Sequence, residues 1–288
     1  MTMTSPKPIL IREVWAHNLH SEFELLRVLV PLYPYISMDT EFPGFVFQPR
    51  AVDPSREPAH HDPYYVRKLK PSDQYAVMKS NVDALNVIQV GLTLADADGN
   101  LPDLGTDRRF IWQFNFRDFD ITRDVYAPNS IDMLRRQGID FELNRIHGVD
   151  SAEFAQLMKR HRLVCNKGVT WVTFHSAYDL GYLVKMITGN HRLPDTLNVF
   201  LRVVRLVFGE RVYDIKHMMR FCNSLYGGLD CVARTLRVER VVGRRHQAGS
   251  DSLLIWQVFK KMMDVYFDSR DRAAEKHAGV LYGLECSE

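Results

Sequence analysis

Carboxylate side chains stand at Asp39 and Glu41, again at Asp179, and again at Asp251, with His246 five positions before the last. The first pair falls in Tyr35-Ile36-Ser37-Met38-Asp39-Thr40-Glu41-Phe42, a β-prone run. Its alternation puts Ser37, Asp39 and Glu41 on one face and Ile36, Met38 and Thr40 on the other. Two like charges on one side of a strand repel, and a fold keeps both ionised most readily with a cation between them. Hard oxygen donors of this kind suit Mg²⁺ or Mn²⁺. A histidine with an ordinary pKa of about 6.5 can accept a proton at neutral pH. These residue types point to metal-assisted hydrolysis.

The elements that must position them are legible from periodicity. Leu19, Phe23, Leu26 and Val30 mark an opening helix, followed by the Asp39 strand. A helix is expected over 72–85, and strands over 86–95 and 109–116. Helical segments should fill 130–162, before a strand over 169–174 that is apolar on both faces and hence central. Asp179 then falls in the first turn of a helix carrying Leu180, Leu183, Val184 and Ile187. By itself it could serve only the helix dipole, worth under about 1 kcal/mol. Helices over 197–208 and 229–236 flank a short strand near 212–215, and His246-Gln247-Ala248-Gly249-Ser250-Asp251 precedes a last apolar helix expected from Leu253 to Phe267.

Other candidate ligands are weaker. His60 and His61 sit in the polar, proline-containing stretch 48–63 with no third ligand nearby, so an exposed insert is expected. Asp96, Asp98 and Asn100 imitate the start of a calcium loop, but Asp107 stands where a Glu is needed. Cys165, Cys222, Cys231 and Cys286 form no CxxC pair and read as reduced, buried thiols.

The chain has 288 residues, 46% of them hydrophobic, which suits one globular domain of mixed α and β structure without repeats. It contains no run of eighteen apolar residues, and the first eight residues lack the apolar core of a signal peptide. No membrane attachment and an intracellular location are expected. A formal net charge of +2 excludes a general polyanion binder, so any grip on nucleic acid must be local. The densest basic stretch is Arg234, Arg237, Arg240, Arg244 and Arg245, which runs into His246. It is either a phosphate clamp beside the carboxylates or a solvated helix face.

Taken together, Asp39-x-Glu41 and His246-x-Ala248-x-x-Asp251 resemble the first and third motifs of the DEDD exonuclease superfamily, histidine branch. A tyrosine branch needs Tyr four residues before Asp251, where Gln247 stands. Longer matches cover about Ile11 to Leu284. Met38-Asp39-Thr40-Glu41-Phe42-Pro43-Gly44, Trp112-Gln113-Phe114-Asn115-Phe116, Phe174-His175-Ser176-Ala177-Tyr178-Asp179 and His246 to Leu254 resemble the Caf/Pop-type deadenylases of the Ccr-Not complex.

The resemblance implies a ribonuclease-H-like mixed sheet flanked by helices, as a single domain over 11–284 with flexible tails at 1–10 and 285–288. It implies two divalent ions, Mg²⁺ or Mn²⁺, with Asp39 shared between them, Glu41 and Asp251 completing one site, and Asp179 serving the other. His246 would be the general base. The implied activity is 3'-to-5' removal of 5'-AMP from messenger RNA poly(A) tails. Phe42, Arg244, Arg245 and His175 are the substrate-contact candidates, Phe42 as a base platform and His175 toward the ribose. Expected partners are single-stranded poly(A) RNA, a Ccr-Not scaffold subunit and a second deadenylase. The expected locations are the cytoplasm, including messenger-RNA decay foci, and the nucleus.

Three rivals remain. A scaffold subunit on a degenerate nuclease fold is disfavoured because all five catalytic-type residues are present. A DNA exonuclease of the same superfamily would be separated by comparing oligo(A) RNA with DNA. An aspartic protease is a poor fit, because Asp39-Thr40 lacks the following glycine and has no second copy.

Overall fold

A computed structural model describes residues 7–48, 69–189, 192–267 and 274–285. Six strands form one sheet: β1 (Ile9–Val14), β2 (Tyr35–Glu41), β3 (Gln89–Ala95), β4 (Arg109–Asn115), β5 (Thr170–Thr173) and β6 (Val212–Asp214). Their spatial order is β1-β4-β3-β2-β5-β6, with β3 antiparallel to β2 and β4 and the other pairs parallel. β3 and β5 are buried at every position, as the middle of a covered sheet requires.

Ten α-helices are described: α1 (Leu19–Leu29), α2 (Pro71–Ala84), α3 (Pro128–Arg136), α4 (Phe141–His147), α5 (Ser151–Arg160), α6 (Ala177–Thr188), α7 (Leu197–Phe208), α8 (Ile215–Met218), α9 (Leu229–Thr235) and α10 (Ala248–Tyr266). The pleat sorts them into two layers. Ile36, Met38 and Trp171 point into a core shared with Phe23 of α1, Met78 of α2, Phe154 of α5, Leu183 of α6 and Phe200 of α7. Ile111 and Val172 point the other way, against Met218, Val232, Ile255 and Phe259 of α8, α9 and α10. α7 shows how local sequence sets this packing. Thr196 accepts a hydrogen bond from Val199 N at its start, and Leu197, Phe200, Val204 and Val207 make the buried stripe.

The structure corrects several boundaries. The amino-terminal tail ends sooner than expected, because Ile9 and Leu10 are already strand residues paired with Arg109 and Phe110 of β4. Glu285, assigned to the other tail, is folded: its carboxylate accepts from Arg220 Nη1 at 3.0 Å and Gly283 N at 2.9 Å. Residues 49–68, with His60 and His61, and Cys286 lie outside the described residues. Of the described cysteines only Cys222 is buried; Cys165 is exposed, and none is in a disulfide. The Asp96 turn closes on itself, with Asp96 Oδ1 accepting from Asp98 N and Asn100 N at 3.0 and 2.8 Å. That is an ordinary Asx-type turn.

The most consequential shift is at α10, which begins at Ala248 instead of Leu253, so Asp251 lies inside its first turn. No cap comes from its own N-cap residue. The exposed N–H groups of a helix start are met from the sheet instead: Gly249 N donates to Gln113 Oε1 at 3.0 Å and Ala248 N to Gln89 Oε1 at 3.4 Å. Gln113 in turn donates to Glu13 Oε1 at 3.1 Å. Ser37 Oγ donates to Ser252 O at 2.8 Å, and Thr93 Oγ1 lies 2.9 Å from Ser252 Oγ.

Candidate active site

Gly91 of β3 is the register partner of Asp39. A Cβ at Gly91 would lie 1.9 Å from Ala248 O and 2.1 Å from Ala248 C, so only glycine lets the start of α10 sit on the sheet here. That contact carries Asp251 to the end of β2. Glu41, His246 and Asp251 then offer ligand atoms that all lie within 4.8 Å of one another, and His246 Nδ1 is 3.9 Å from Glu41 Oε1. Asp179 arrives from the other layer, at the start of α6. Thr40 clasps it twice: N and Oγ1 donate to Asp179 Oδ1 at 3.0 and 2.5 Å. Thr40, on the face opposite the carboxylate pair, therefore ties the fourth acid to the same strand end.

Electrostatics follow from this crowding. Burial, then the charges of Asp251, Asp179 and Glu41, push the Asp39 carboxyl well above the ordinary range. Glu41 is raised well above it by burial and by Asp251 and Asp179. Burial raises Asp179 to about 7 against the opposing pull of the Thr40 hydrogen bonds. Asp251 is also raised by burial, with Arg240 opposing. Four acids that resist ionising together, with Asp39 keeping partial access to solvent, make a donor set that fits hard divalent cations. Burial lowers the His246 pKa, so its imidazole is neutral at pH 7 and able to accept a proton.

Both motif histidines are held in left-handed backbone conformations, His246 at φ 58° and His175 at φ 61°. Such conformations cost a non-glycine residue about 1 kcal/mol or more. An aspartate restrains each. His246 N donates to Asp251 Oδ2 at 2.9 Å, and His175 N to Asp214 Oδ1 at 2.8 Å. Fully buried Asp214 also accepts from Ser176 N at 3.2 Å, Lys216 N at 2.9 Å and Tyr282 N at 3.0 Å. It pins the start of α6 to β6, α8 and the carboxyl-terminal segment.

The substrate-contact candidates divide. His175 is exposed, its ring edge-on to Tyr282 at 5.1 Å. Phe42 is no open platform: it is partly buried, stacked on Tyr178 at 5.5 Å and packed on Tyr182 at 5.1 Å. The arginine cluster is likewise two things. Arg244 and Arg245 are exposed, and Arg245 pairs with Asp230 at 2.9 Å. Arg240 turns inward, with Nη2 2.6 Å from Asp251 Oδ1 and 3.0 Å from Asp230 Oδ1, and Nη1 donating to Ser250 Oγ at 2.6 Å. It is the counter-charge of an acid in the site instead of a phosphate clamp. Sequence reasoning did not single out Thr40, Gly91 or Asp214 and read Arg240 only as one of a basic stretch, because each acts through a partner at least ten positions away. A cavity of about 510 Å³ lined by Arg109, Arg237, Trp256 and Lys260 lies behind α10 and shares no residue with the acidic cluster.

Comparison with known proteins bears on this arrangement. The sequence model of the "CAF1 family ribonuclease" matches residues 14–163. The Arabidopsis thaliana protein named "Probable CCR4-associated factor 1 homolog 7" is 48% identical over 96% of this chain and 94% of its own length. "Poly(A) ribonuclease pop2" of Schizosaccharomyces pombe is 39% identical over 95% of this chain and 75% of its own. Among solved structures, S. pombe Pop2p in its Mg²⁺- and Mn²⁺-bound form superposes with a TM-score of 0.83 at 38% identity, covering 97% of this chain and all of that one. Yeast CAF1, co-crystallised with the NOT1 MIF4G domain, superposes with a TM-score of 0.75 at 31% identity, covering 98% and 100%. With the family profile spanning more than half of the chain and whole-length relatives near half identity, this protein belongs to the CAF1 family of ribonucleases.

Proposed function

We propose that this chain is a 3'-to-5' poly(A)-specific exoribonuclease that shortens messenger RNA tails and releases 5'-AMP. The observation that carries the reading is the convergence of Asp39, Glu41, Asp179 and Asp251 from β2, α6 and α10 on one strand end, with His246 beside them. The metal-bound state of the S. pombe relative supports a divalent cofactor held by these acids. When bound, two such ions neutralise charge on the scissile phosphate and lower the pKa of the attacking water. The chain's own residues do the rest. The acids hold the ions, Arg240 and Thr40 fix the orientation of Asp251 and Asp179, and neutral His246 takes the proton from water. The exposure of Arg244 and Arg245 supports a role for them in meeting RNA phosphates.

The relative crystallised with NOT1 supports docking on a Ccr-Not scaffold subunit, and a second deadenylase would share that assembly. The corresponding locations are the cytoplasm and the nucleus. No described helix is long and apolar enough to cross a membrane. The reading is tested with 5'-labelled oligo(A) RNA. EDTA should abolish trimming, Mg²⁺ or Mn²⁺ should restore it, and circular poly(A) should survive. Undiminished cleavage in chelator, or internal cutting of the circle, would overturn it.

A further inference from the structure

Directly after Glu41 the chain runs through Phe42-Pro43-Gly44-Phe45-Val46-Phe47 in a strap with no regular secondary structure, yet the strap is tied down along its length. Pro43 O accepts from Ala127 N at 2.9 Å. Gly44, at φ 89°, packs so closely on α3 that a Cβ there would lie 2.3 Å from Ser130 Oγ. Fully buried Asn81 of α2 spends its whole amide on the strap and its own helix. Its Oδ1 accepts from Val46 N and Phe47 N at 2.8 and 2.9 Å, and its Nδ2 donates to Phe47 O and Val77 O at 2.8 and 3.0 Å.

The side chains of this rigid segment alternate. Val46 packs on the core, whereas Phe45 and Phe47 face outward, 52% and 46% exposed. Phe45 also stands edge-on to Tyr178 at 4.8 Å and to Phe42 at 5.5 Å. The aromatic group is thus continuous in sequence with two of the acids, since Phe42 follows Glu41 and Tyr178 precedes Asp179.

An isolated exposed phenylalanine needs no explanation. Two of them on a backbone fixed by a dedicated buried amide, beside a nuclease site, are a preorganised surface. Ordering it costs nothing further when a flat ligand arrives. We propose that Phe45 and Phe47 are a stacking platform for unpaired bases of the RNA leading to the 3' end, a reading that rests on the ribonuclease function above. Phe42 and Tyr178 back Phe45 edge-on. Stacking on aromatic side chains is sequence-tolerant, but its strength grows with the π-surface, so adenine gains more from this face than uracil.

The test measures binding apart from cleavage. Oligo(A) and oligo(U), each carrying one 2-aminopurine within three nucleotides of the 3' end, are titrated with the protein in Ca²⁺, and trimming of the same RNAs is read separately in Mg²⁺. Wild type should quench the probe. Phe45→Ala with Phe47→Ala should weaken oligo(A) binding by about tenfold or more and oligo(U) binding by less. Phe45→Trp should keep wild-type affinity, and Leu206→Ala, an exposed site on α7, should change nothing. Absent quenching in wild type, unchanged affinity in the double variant, or equal loss on both RNAs would overturn the platform. A wild type that stacks oligo(A) but fails to trim it would instead overturn the exonuclease reading and leave the platform standing.

Discussion

Asp251 and His246 share one turn of chain but are given different tasks, and substitution separates them. Asp251→Ala removes a carboxylate from the proposed ion-holding set and also takes from the half-buried Arg240 guanidinium one of its two carboxylate partners, leaving Asp230. Metal binding by calorimetry should be lost, and the rate should fall to background at every pH. His246→Ala removes the proposed proton acceptor while Glu41, Asp251 and Asp39 remain. Metal affinity should be nearly kept, with the rate falling by roughly 10² to 10⁴. Because hydroxide needs no base, part of that loss should return between pH 6 and about 9.5. A His246→Ala enzyme that trims at the wild-type rate across the range would reduce His246 to a structural residue. If calorimetry shows that it loses metal as Asp251→Ala does, the imidazole is instead a ligand, as its place among the three clustered donor groups also allows.

At the scale of elements, the site depends on how closely α10 approaches the sheet. Gly91→Ala inserts a methyl group into the Ala248 carbonyl, a backbone group that cannot swing aside. Overpacking of this kind costs about 1–3 kcal/mol or more, and here the strain acts on the turn that carries Asp251. Urea denaturation should show a loss at the upper end of that range, with activity reduced beyond what the unfolded fraction explains. Gly228→Ala, at the N-cap of α9, has ordinary backbone angles and open space around the new carbon, so only the N-cap preference for glycine is lost and the cost should stay near or below about 1 kcal/mol with activity kept. Equal behaviour of the two variants would mean that α10 can move without cost. The helices and most strands could be read from periodicity, since α1, α6 and α7 each repeat apolar residues along one face. The start of α10 could not. Ala248, Gly249 and Ser250 carry no apolar stripe, and the groups that hold them in a helix are Gln89 and Gln113, on strands more than a hundred residues earlier.

For the whole molecule, the crowded acids make stability depend on metal and pH together. Asp39, Glu41, Asp179 and Asp251 all have folded-state pKa values above those of exposed carboxyls. Their contribution to metal-free stability is therefore complete below about pH 4 and is lost as pH rises through the folded values, which for Asp179 is about 7. Melting temperatures in EDTA should fall between pH 5 and 8 relative to those in Mg²⁺, so the gap between the two widens with pH. A constant or narrowing gap would remove the acids as the cause. Sequence by itself determined which groups could do the chemistry, because D-x-E on a strand, an Asp at a helix start and H-x-A-x-x-D are local patterns whose geometry is set within a few residues. It also determined the succession of strands and helices, through apolar periodicity, while the mixed sheet followed from the family resemblance. Only the tertiary structure decided that Arg240 faces Asp251, that Thr40 holds Asp179, that Phe42 is backed by Tyr178, and that Phe45 and Phe47 stand open. Those outcomes depend on which distant segment occupies the space beside each side chain, and no local pattern encodes that.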